Sequence, residues 1–183
     1  MRWLTLLALL AAMTVLPLRG TGAQGQGPGL RAGIAAVSQP VLMDSLAHPF
    51  KIMGERAAIL GALVAAYDSL GIPMDFKDTK AGIVVAERFQ VRRELKKVPL
   101  SKYLDCGQGF NGVNANVYRL TLVIASWISP TVGDPQEIQV AVAGSGQDMA
   151  GSNVQSVLCT SKGVLEEVLV NIARRSLSNS VRD

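Results

Sequence analysis

The stretch that decides the fold runs from residue 118 to residue 128 and reads YRLTLVIASWI. Every second residue in it is apolar or a small serine, in the series Tyr118, Leu120, Leu122, Ile124, Ser126 and Ile128. This alternation is typical of a β-strand with one face in the core. We therefore predict a central antiparallel strand whose other face, from Arg119 to Trp127, is half-polar and stays in contact with water.

Further short strands are predicted on both sides of this one. Residues 136–142 alternate in the same way, residues 144–152 predict a glycine-rich loop, and residues 154–159 predict a third strand. Upstream, residues 81–86 and 88–95 predict the two strands of a hairpin. The expected sheet is an antiparallel meander of four to six strands.

Two amphipathic helices complete the predicted fold. One spans residues 55–70, repeats apolar residues at spacings of three and four, and is closed by a glycine. The other is long and begins near residue 162, with Thr160 or Ser161 as N-cap. Because both helices can cover one face of the sheet, we predict a single α+β domain over residues 34–183.

The N-terminus carries the pattern of an export signal. Arg2 is followed by an uncharged run that ends at Leu18, and small residues precede Gln24. This pattern predicts a signal peptide over residues 1–23, with an uncleaved membrane anchor as the alternative. A glycine-rich flexible leader is expected over residues 24–33. The mature chain would then be periplasmic or extracellular, with no transmembrane span after cleavage.

The charge balance argues against a nucleic-acid partner. The chain has 18 basic and 14 acidic residues, which gives a formal net charge of +4 at pH 7. Loss of Arg2 and Arg19 with the signal peptide would leave a nearly neutral protein. A nucleic-acid-binding domain is expected to have a much larger basic excess, so we exclude this class of partner.

The two cysteines, Cys106 and Cys159, both lie in the predicted exported part. An even number of cysteines in an oxidising compartment predicts one disulfide bond. It would tie the start of a glycine-rich loop to the strand before the last helix. Two separate buried thiols are the alternative. A zinc site is the least supported alternative, because it would need two more ligands and the single histidine, His48, is far away in sequence.

Motifs for catalysis or cofactor binding are sparse. Residues 107–112 match G-x-G-x-x-G, but a dinucleotide site needs a strand before the motif and a helix after it. His48 has no partner motif, so we interpret it as structural or solvated. Carboxylate pairs are harder to exclude, and the candidates are Asp75, Asp78, Asp105, Glu166 and Glu167. Asp75 and Asp78 lie in a predicted turn, where carboxylates accept hydrogen bonds from nearby backbone amides, and Glu166 and Glu167 lie at the positive end of the last predicted helix. We therefore expect no catalytic residue, no cofactor and no metal.

One stretch departs from the near-neutral balance. Between residues 88 and 102 lie six basic residues, Arg88, Arg92, Arg93, Lys96, Lys97 and Lys102. If Phe89 and Val91 face the core, Arg88 and Arg92 project outward on the same side. We interpret this stretch as a candidate contact with an anionic envelope surface, either lipid headgroups or an acidic partner. A solvated edge strand is the alternative, because charges there prevent aggregation.

Three segments resemble a group of uncharacterised exported proteins from environmental bacteria. The segments are YLDCG at 103–107, ANVY at 115–118 and CTSKGVLE at 159–166, and the likeness covers residues 50–178. The resemblance implies export and brings no activity. The meander closed by a long helix is also similar to helix-grip domains, such as those of the envelope lipoprotein BamC. That analogy concerns the fold and licenses no function.

These features together predict an exported, non-enzymatic envelope protein that binds a partner or assists assembly. The partner would be an envelope protein or an anionic surface. The second candidate is a small-ligand carrier with a pocket between the C-terminal helix and the sheet. An enzyme that uses two carboxylates is the third class.

Overall fold

The structure is a computed structural model that describes residues 27–130, 134–149 and 156–180. The predicted signal peptide, residues 1–23, and the first residues of the predicted leader lie outside these ranges. The end of the predicted glycine-rich loop and the first residues of the predicted third strand also lie outside them.

The described residues form three helices and thirteen strands. The helices are α1 (Arg56–Leu70), α2 (Asn114–Val117) and α3 (Val164–Ser180), and 3-10 turns occur at Met43–Leu46 and Leu100–Lys102. The strands are β1 (Arg31–Ala32), β2 (Val41–Leu42), β3 (His48–Ile52), β4 (Phe76–Asp78), β5 (Ile83–Arg92), β6 (Glu94–Leu95), β7 (Val98–Pro99), β8 (Leu104–Asp105), β9 (Gln108–Gly109), β10 (Gly112–Val113), β11 (Arg119–Ile128), β12 (Gln136–Gln147) and β13 (Ser156–Ser161).

One seven-stranded antiparallel sheet carries the fold. Its strand order is β4-β5-β11-β12-β13-β8, and β3 pairs with β12 on the same edge that β13 uses. The prediction of an α+β domain with an antiparallel sheet is confirmed, and β11, β12 and β13 pair in sequence as a meander. The predicted count of four to six strands is too low. The short strands β3, β4 and β8 extend the sheet, and β4 and β8, with three and two residues, are too short to show an alternation.

Helices α1 and α3 pack together on one face of the sheet, here called the inner face. Leu120, Leu122 and Ile124 of β11 are fully buried on this face, which confirms the predicted inward set. Ser126 is buried on the same side, and its hydroxyl lies 3.0 Å from the Tyr67 hydroxyl of α1. The polar member of the inward series therefore has a partner in the helix layer.

The opposite face of the sheet, here called the outer face, differs from the prediction. Trp127 was expected to be wet, but it is 3 % exposed. It belongs to a second core, in which the N-terminal segment (residues 27–47) covers the sheet through buried side chains such as Ile34 and Met43. Arg119, at the end of the strand, is half-buried. Apolar side chains distant in sequence cover most of a face that the strand pattern alone describes as half-polar.

The N-terminal segment joins the fold before residue 34, where the domain was predicted to begin. Strand β1 pairs with β2, and Ala32 is buried in the outer core. The Met43 N–H also donates a hydrogen bond to the Leu30 carbonyl at 2.8 Å. The described part of the predicted leader therefore includes a strand, because a partner strand and an apolar surface are available to it.

A single strand, β5, replaces the hairpin predicted from residues 81–86 and 88–95. The pairing of β5 with β11 shifts by one residue at Glu87 and Arg88, which is a β-bulge. The extra residue reverses the alternation along the strand, and this reversal resembles a turn in the sequence. Phe89 lies on the inner face beyond the bulge, as predicted.

Strand β12 continues to Gln147, beyond the point where a loop was predicted to begin. Gly144 lies inside the strand, where a Cβ would be 2.6 Å from the Leu122 side chain and 2.7 Å from the Thr121 carbonyl oxygen. This glycine permits the close approach of β11 and does not mark a turn. The loop prediction was wrong for residues 144–147, because a glycine in the sequence is compatible both with a turn and with the close approach of two strands.

The C-terminal helix α3 begins at Val164, two residues after its predicted start. The Gly163 N–H donates to Ser161 Oγ at 3.1 Å, so the predicted capping residue contacts the start of the helix. In the part of the chain that the structure describes, no helix is both long enough and apolar enough to cross a bilayer.

Candidate functional site

The strand register brings several strand ends together at one end of the sheet, here called the basic end. Arg92 at the end of β5 pairs with Arg119 at the start of β11. Arg119 pairs with Gln147 at the end of β12, which pairs with Ser156 at the start of β13. The β6–β7 hairpin follows β5, and the β9–β10 hairpin precedes α2 and β11. Both hairpins therefore lie at this end.

Five of the six predicted basic residues lie at the basic end, and all are exposed: Arg92, Arg93, Lys96, Lys97 and Lys102. The structure adds Arg119, which faces Arg92. Lys162 follows Ser161, the end of β13 opposite to Ser156, and its amino group donates a hydrogen bond to the Ser101 carbonyl at 2.8 Å. Acidic residues of the same segments are Glu94, Asp105 and Asp148, so basic side chains are in excess. Arg88 lies apart, at the bulge of β5. Arg119 is not recognisable from the sequence as part of this cluster, because it is distant in the chain from residues 88–102 and reaches Arg92 only through strand pairing.

In two places, basic residues occupy positions that lower the stability of the folded protein. Arg92 and Arg119 are directly paired across β5 and β11, and like charges in this position repel each other. Lys96 and Lys97 form the turn between β6 and β7, with left-handed φ values of 50° and 65°. Such a turn favours Asn-Gly, because a left-handed backbone is unfavourable for lysine. Fold stability alone explains neither the arginine pair nor the lysine turn.

The β9–β10 hairpin presents a fully exposed Phe110 at its tip. The predicted disulfide between Cys106 and Cys159 is present, with an S–S distance of 2.02 Å, and joins the base of this hairpin to β13. The Asn114 side chain also donates a hydrogen bond to the Cys106 carbonyl at 3.0 Å. The segment that matches G-x-G-x-x-G is thus a pinned hairpin, and the helix that follows it, α2, has only four residues. In a dinucleotide site the motif instead forms the tight turn between a strand and a long helix.

Two further large apolar side chains are exposed at the basic end. Val98 lies in β7, and Met149 follows the end of β12. Together with Phe110, they place apolar groups on three separate connections among the lysines and arginines. The basic end is therefore amphipathic as well as positively charged.

The carboxylates at the two ends of β4, Asp75 and Asp78, accept hydrogen bonds from backbone amides. Asp78 Oδ1 accepts hydrogen bonds from the Lys80 and Ala81 amides at 2.8 and 2.9 Å. Asp75 Oδ2 accepts one from the Glu87 amide at 2.7 Å. Among the described residues, no three histidine, cysteine or acidic side chains come together as a metal site would require.

One buried carboxylate, Glu166, was misread as a residue that only complements the helix dipole. It is 0 % exposed in the first turn of α3, and neither oxygen has a hydrogen-bond partner among the described groups. β3 and β13 meet end to end on β12 near this point, with His48 starting β3 and Ser161 ending β13. Burial raises the pKa of Glu166, and the nearby Ser161 hydroxyl and the charge of His48 offset only part of this rise.

The Glu166→Gln substitution is expected to raise the free energy of unfolding near pH 7 by about 1–3 kcal/mol. The pKa of Glu166 in the folded protein lies above its ordinary value of 4.5, so folding is favoured while the group is protonated. That contribution is lost as the pH rises through the folded-state pKa. Urea denaturation at about pH 4 and about pH 7 measures the effect, and the gain should appear mainly at the higher pH.

Glu167→Gln is the matched control, because Glu167 is exposed in the same helical turn. It should leave stability nearly unchanged at both pH values. A gain for Glu166→Gln that is the same at both pH values would show that the buried carboxylate does not titrate as proposed.

No protein-family model matches the chain, and no curated protein is significantly similar to it. The geometry and charge of the basic end therefore provide the grounds for a functional proposal.

Proposed function

We propose that this protein is an exported, non-enzymatic binding module that docks on an anionic membrane surface through its basic end. The observation that carries the proposal is the fully exposed Phe110 on a pinned hairpin at an end of the sheet rich in lysine and arginine. Docking in this way would hold the module at the envelope, where it binds a partner or assists assembly.

The basic side chains supply the long-range attraction. A lysine or arginine close to an anionic lipid surface contributes about 1 kcal/mol. Arg92, Arg93, Lys96 and Lys97 are all exposed at the end of β5 and in the hairpin that follows it. A lipid headgroup near Arg92 and Arg119 would also relieve the repulsion within that pair. Membrane contact would thus reduce an electrostatic repulsion that is present in the free protein.

Phe110 supplies a contact that salt does not screen. Aromatic side chains are favoured at membrane interfaces, and insertion removes apolar ring surface from water. The disulfide and the Asn114 side chain hold the base of the hairpin. Little conformational freedom is therefore lost when the tip inserts. Met149 and Val98 extend the apolar contact beyond a single side chain.

A membrane accounts for the basic end better than an acidic protein partner does. An acidic protein surface would match the lysines and arginines, but it would not require apolar groups on three separate connections. The lipid interface accepts both, because anionic headgroups lie directly above the acyl chains. An acidic protein is therefore the competing outcome of the test.

Vesicle co-sedimentation tests the proposal with phosphatidylcholine vesicles that contain or lack phosphatidylglycerol. The wild type should prefer the anionic vesicles. The Arg92→Glu/Arg93→Glu/Lys96→Glu variant should bind them at least roughly ten-fold more weakly at low salt, because three attractive charges become repulsive. The difference should shrink near 0.15 M salt, where the Debye length is about 8 Å.

Lys51→Glu/Lys77→Glu/Lys80→Glu is the matched control, since it makes the same change in net charge at exposed lysines away from the basic end. It should retain most of the binding. Phe110→Ser should weaken binding at both salt concentrations. Equal binding by the two triple variants contradicts the proposal. Binding to polyglutamate without binding to vesicles would replace the membrane with an acidic protein partner.

A further inference from the structure

A groove of about 650 Å³ lies on the outer face of the sheet, next to the N-terminal segment. Leu30 and Met43 of that segment form one wall, and Val85 of β5 and Val123 of β11 form the floor. The volume is typical of sites for small molecules. The predicted pocket between the C-terminal helix and the sheet was placed on the opposite face, where Leu165, Leu169 and Ala173 of α3 are buried in the inner core.

Two arginines reach this groove from distant parts of the chain. Arg31 belongs to β1, and Arg88 lies in the bulge of β5. Both residues are exposed, and Glu87 is the acidic residue of the lining, so the groove has a net positive charge. Phe76 on the edge strand β4 also lines it and is 47 % exposed. Apolar surface and cationic groups are therefore both available to a ligand.

We infer that this groove binds a single-chain amphiphile with an anionic head group, such as a long-chain fatty acid. The chain would lie along Phe76, Val85 and Val123, where its burial removes apolar surface from water. The head would lie at Arg31 and Arg88, because guanidinium groups bind a carboxylate or phosphate through paired, charge-assisted hydrogen bonds.

The lining selects for both halves of such a ligand. A neutral apolar molecule would leave the two guanidinium groups without an anionic partner, and a free phosphate ion would not use the apolar floor. The β-bulge has a direct part in this arrangement, because it places Arg88 beside the floor residue Val85 at the groove.

Calorimetric titration with laurate, below its micelle concentration, tests the inference. The wild type should bind laurate at least roughly ten-fold more tightly than dodecyl maltoside, which has a chain of the same length and a neutral head. Arg31→Glu/Arg88→Glu should reduce the laurate affinity at least roughly ten-fold. Lys51→Glu/Lys80→Glu makes the same change in net charge elsewhere and should leave it nearly unchanged.

A variant that obstructs the groove without changing its charged residues provides a second test. A Cβ at Gly33 would meet no atom within 4 Å, and Gly33 lines the groove. Gly33→Phe should therefore fold normally by circular dichroism and weaken laurate binding. Lauroyl lysophosphatidylglycerol, with the same acyl chain on a phosphate head, distinguishes a membrane lipid from a free fatty acid as the source. The ligand bound more tightly identifies the head group.

The groove and the basic end are separate surfaces, so their tests can fail separately. Arg92→Glu/Arg93→Glu/Lys96→Glu should keep laurate binding, and Arg31→Glu/Arg88→Glu should keep most of the vesicle binding. Equal affinity for laurate and dodecyl maltoside, an unchanged laurate affinity in Arg31→Glu/Arg88→Glu, or no laurate binding by the wild type would each overturn the inference.

Discussion

Replacing Cys106 and Cys159 together by serine is expected to lower the free energy of unfolding by roughly 4 kcal/mol. The two cysteines are 53 positions apart and form a disulfide in the folded protein. Cross-linking a loop of this length restricts the unfolded chain strongly, which is the chain-entropy account of disulfide stabilisation. Urea denaturation of the oxidised wild type and the double-serine variant measures the difference.

Reduced wild-type protein is the matched control, because it loses the same cross-link without a change of sequence. Its urea midpoint should fall close to that of the double-serine variant. Intact mass should rise by two hydrogens on reduction, and alkylation should occur only after it. Labelling of both thiols in the unreduced, folded protein would contradict the disulfide.

The Trp127→Ala substitution is expected to cost about 3–5 kcal/mol, the range for removing a buried aromatic side chain. Trp127 lies in the outer core, where the N-terminal segment covers it. The loss should also loosen that segment, because Ile34 and Met43 belong to the same core. Urea denaturation measures the cost, and limited proteolysis should show earlier cleavage between residues 27 and 47.

Thr121→Ala is the matched control for this prediction, because Thr121 lies on the same face of β11 and is half-buried. It should cost less than about 1 kcal/mol. If Trp127→Ala also costs less than about 1 kcal/mol, the outer face is open to water, as the strand pattern alone predicts.

The inner half of the fold was predictable because each of its elements carries its own periodicity. The inward series of β11 has a period of two, and α1 has the three-and-four spacing of an amphipathic helix. The β-bulge at Glu87 and Arg88 was not predictable in the same way. A bulge and a tight turn both interrupt an alternation, and only the partner strand distinguishes them.

The candidate sites were predictable in part. The concentration of charge from Arg88 to Lys102 is visible in the sequence, and it led to five residues of the basic end. The separation of Arg88 from the others was not visible, because it depends on where the bulge falls relative to β11. The exposure of Phe110 also depends on a hairpin whose base is held from another strand through Cys159.

By itself, the sequence determined the inward face of β11 and the helices α1 and α3, and it favoured a disulfide between its two cysteines. Local spacing sets the first two, and the number of cysteines with the predicted compartment favours the third. Only the tertiary structure decided that Trp127 is buried, that Arg119 faces Arg92, and that the Glu166 carboxylate is shielded from solvent. Burial and electrostatic interaction are sums over neighbours in space. Those neighbours come from distant parts of the chain, so no local period in the sequence records them.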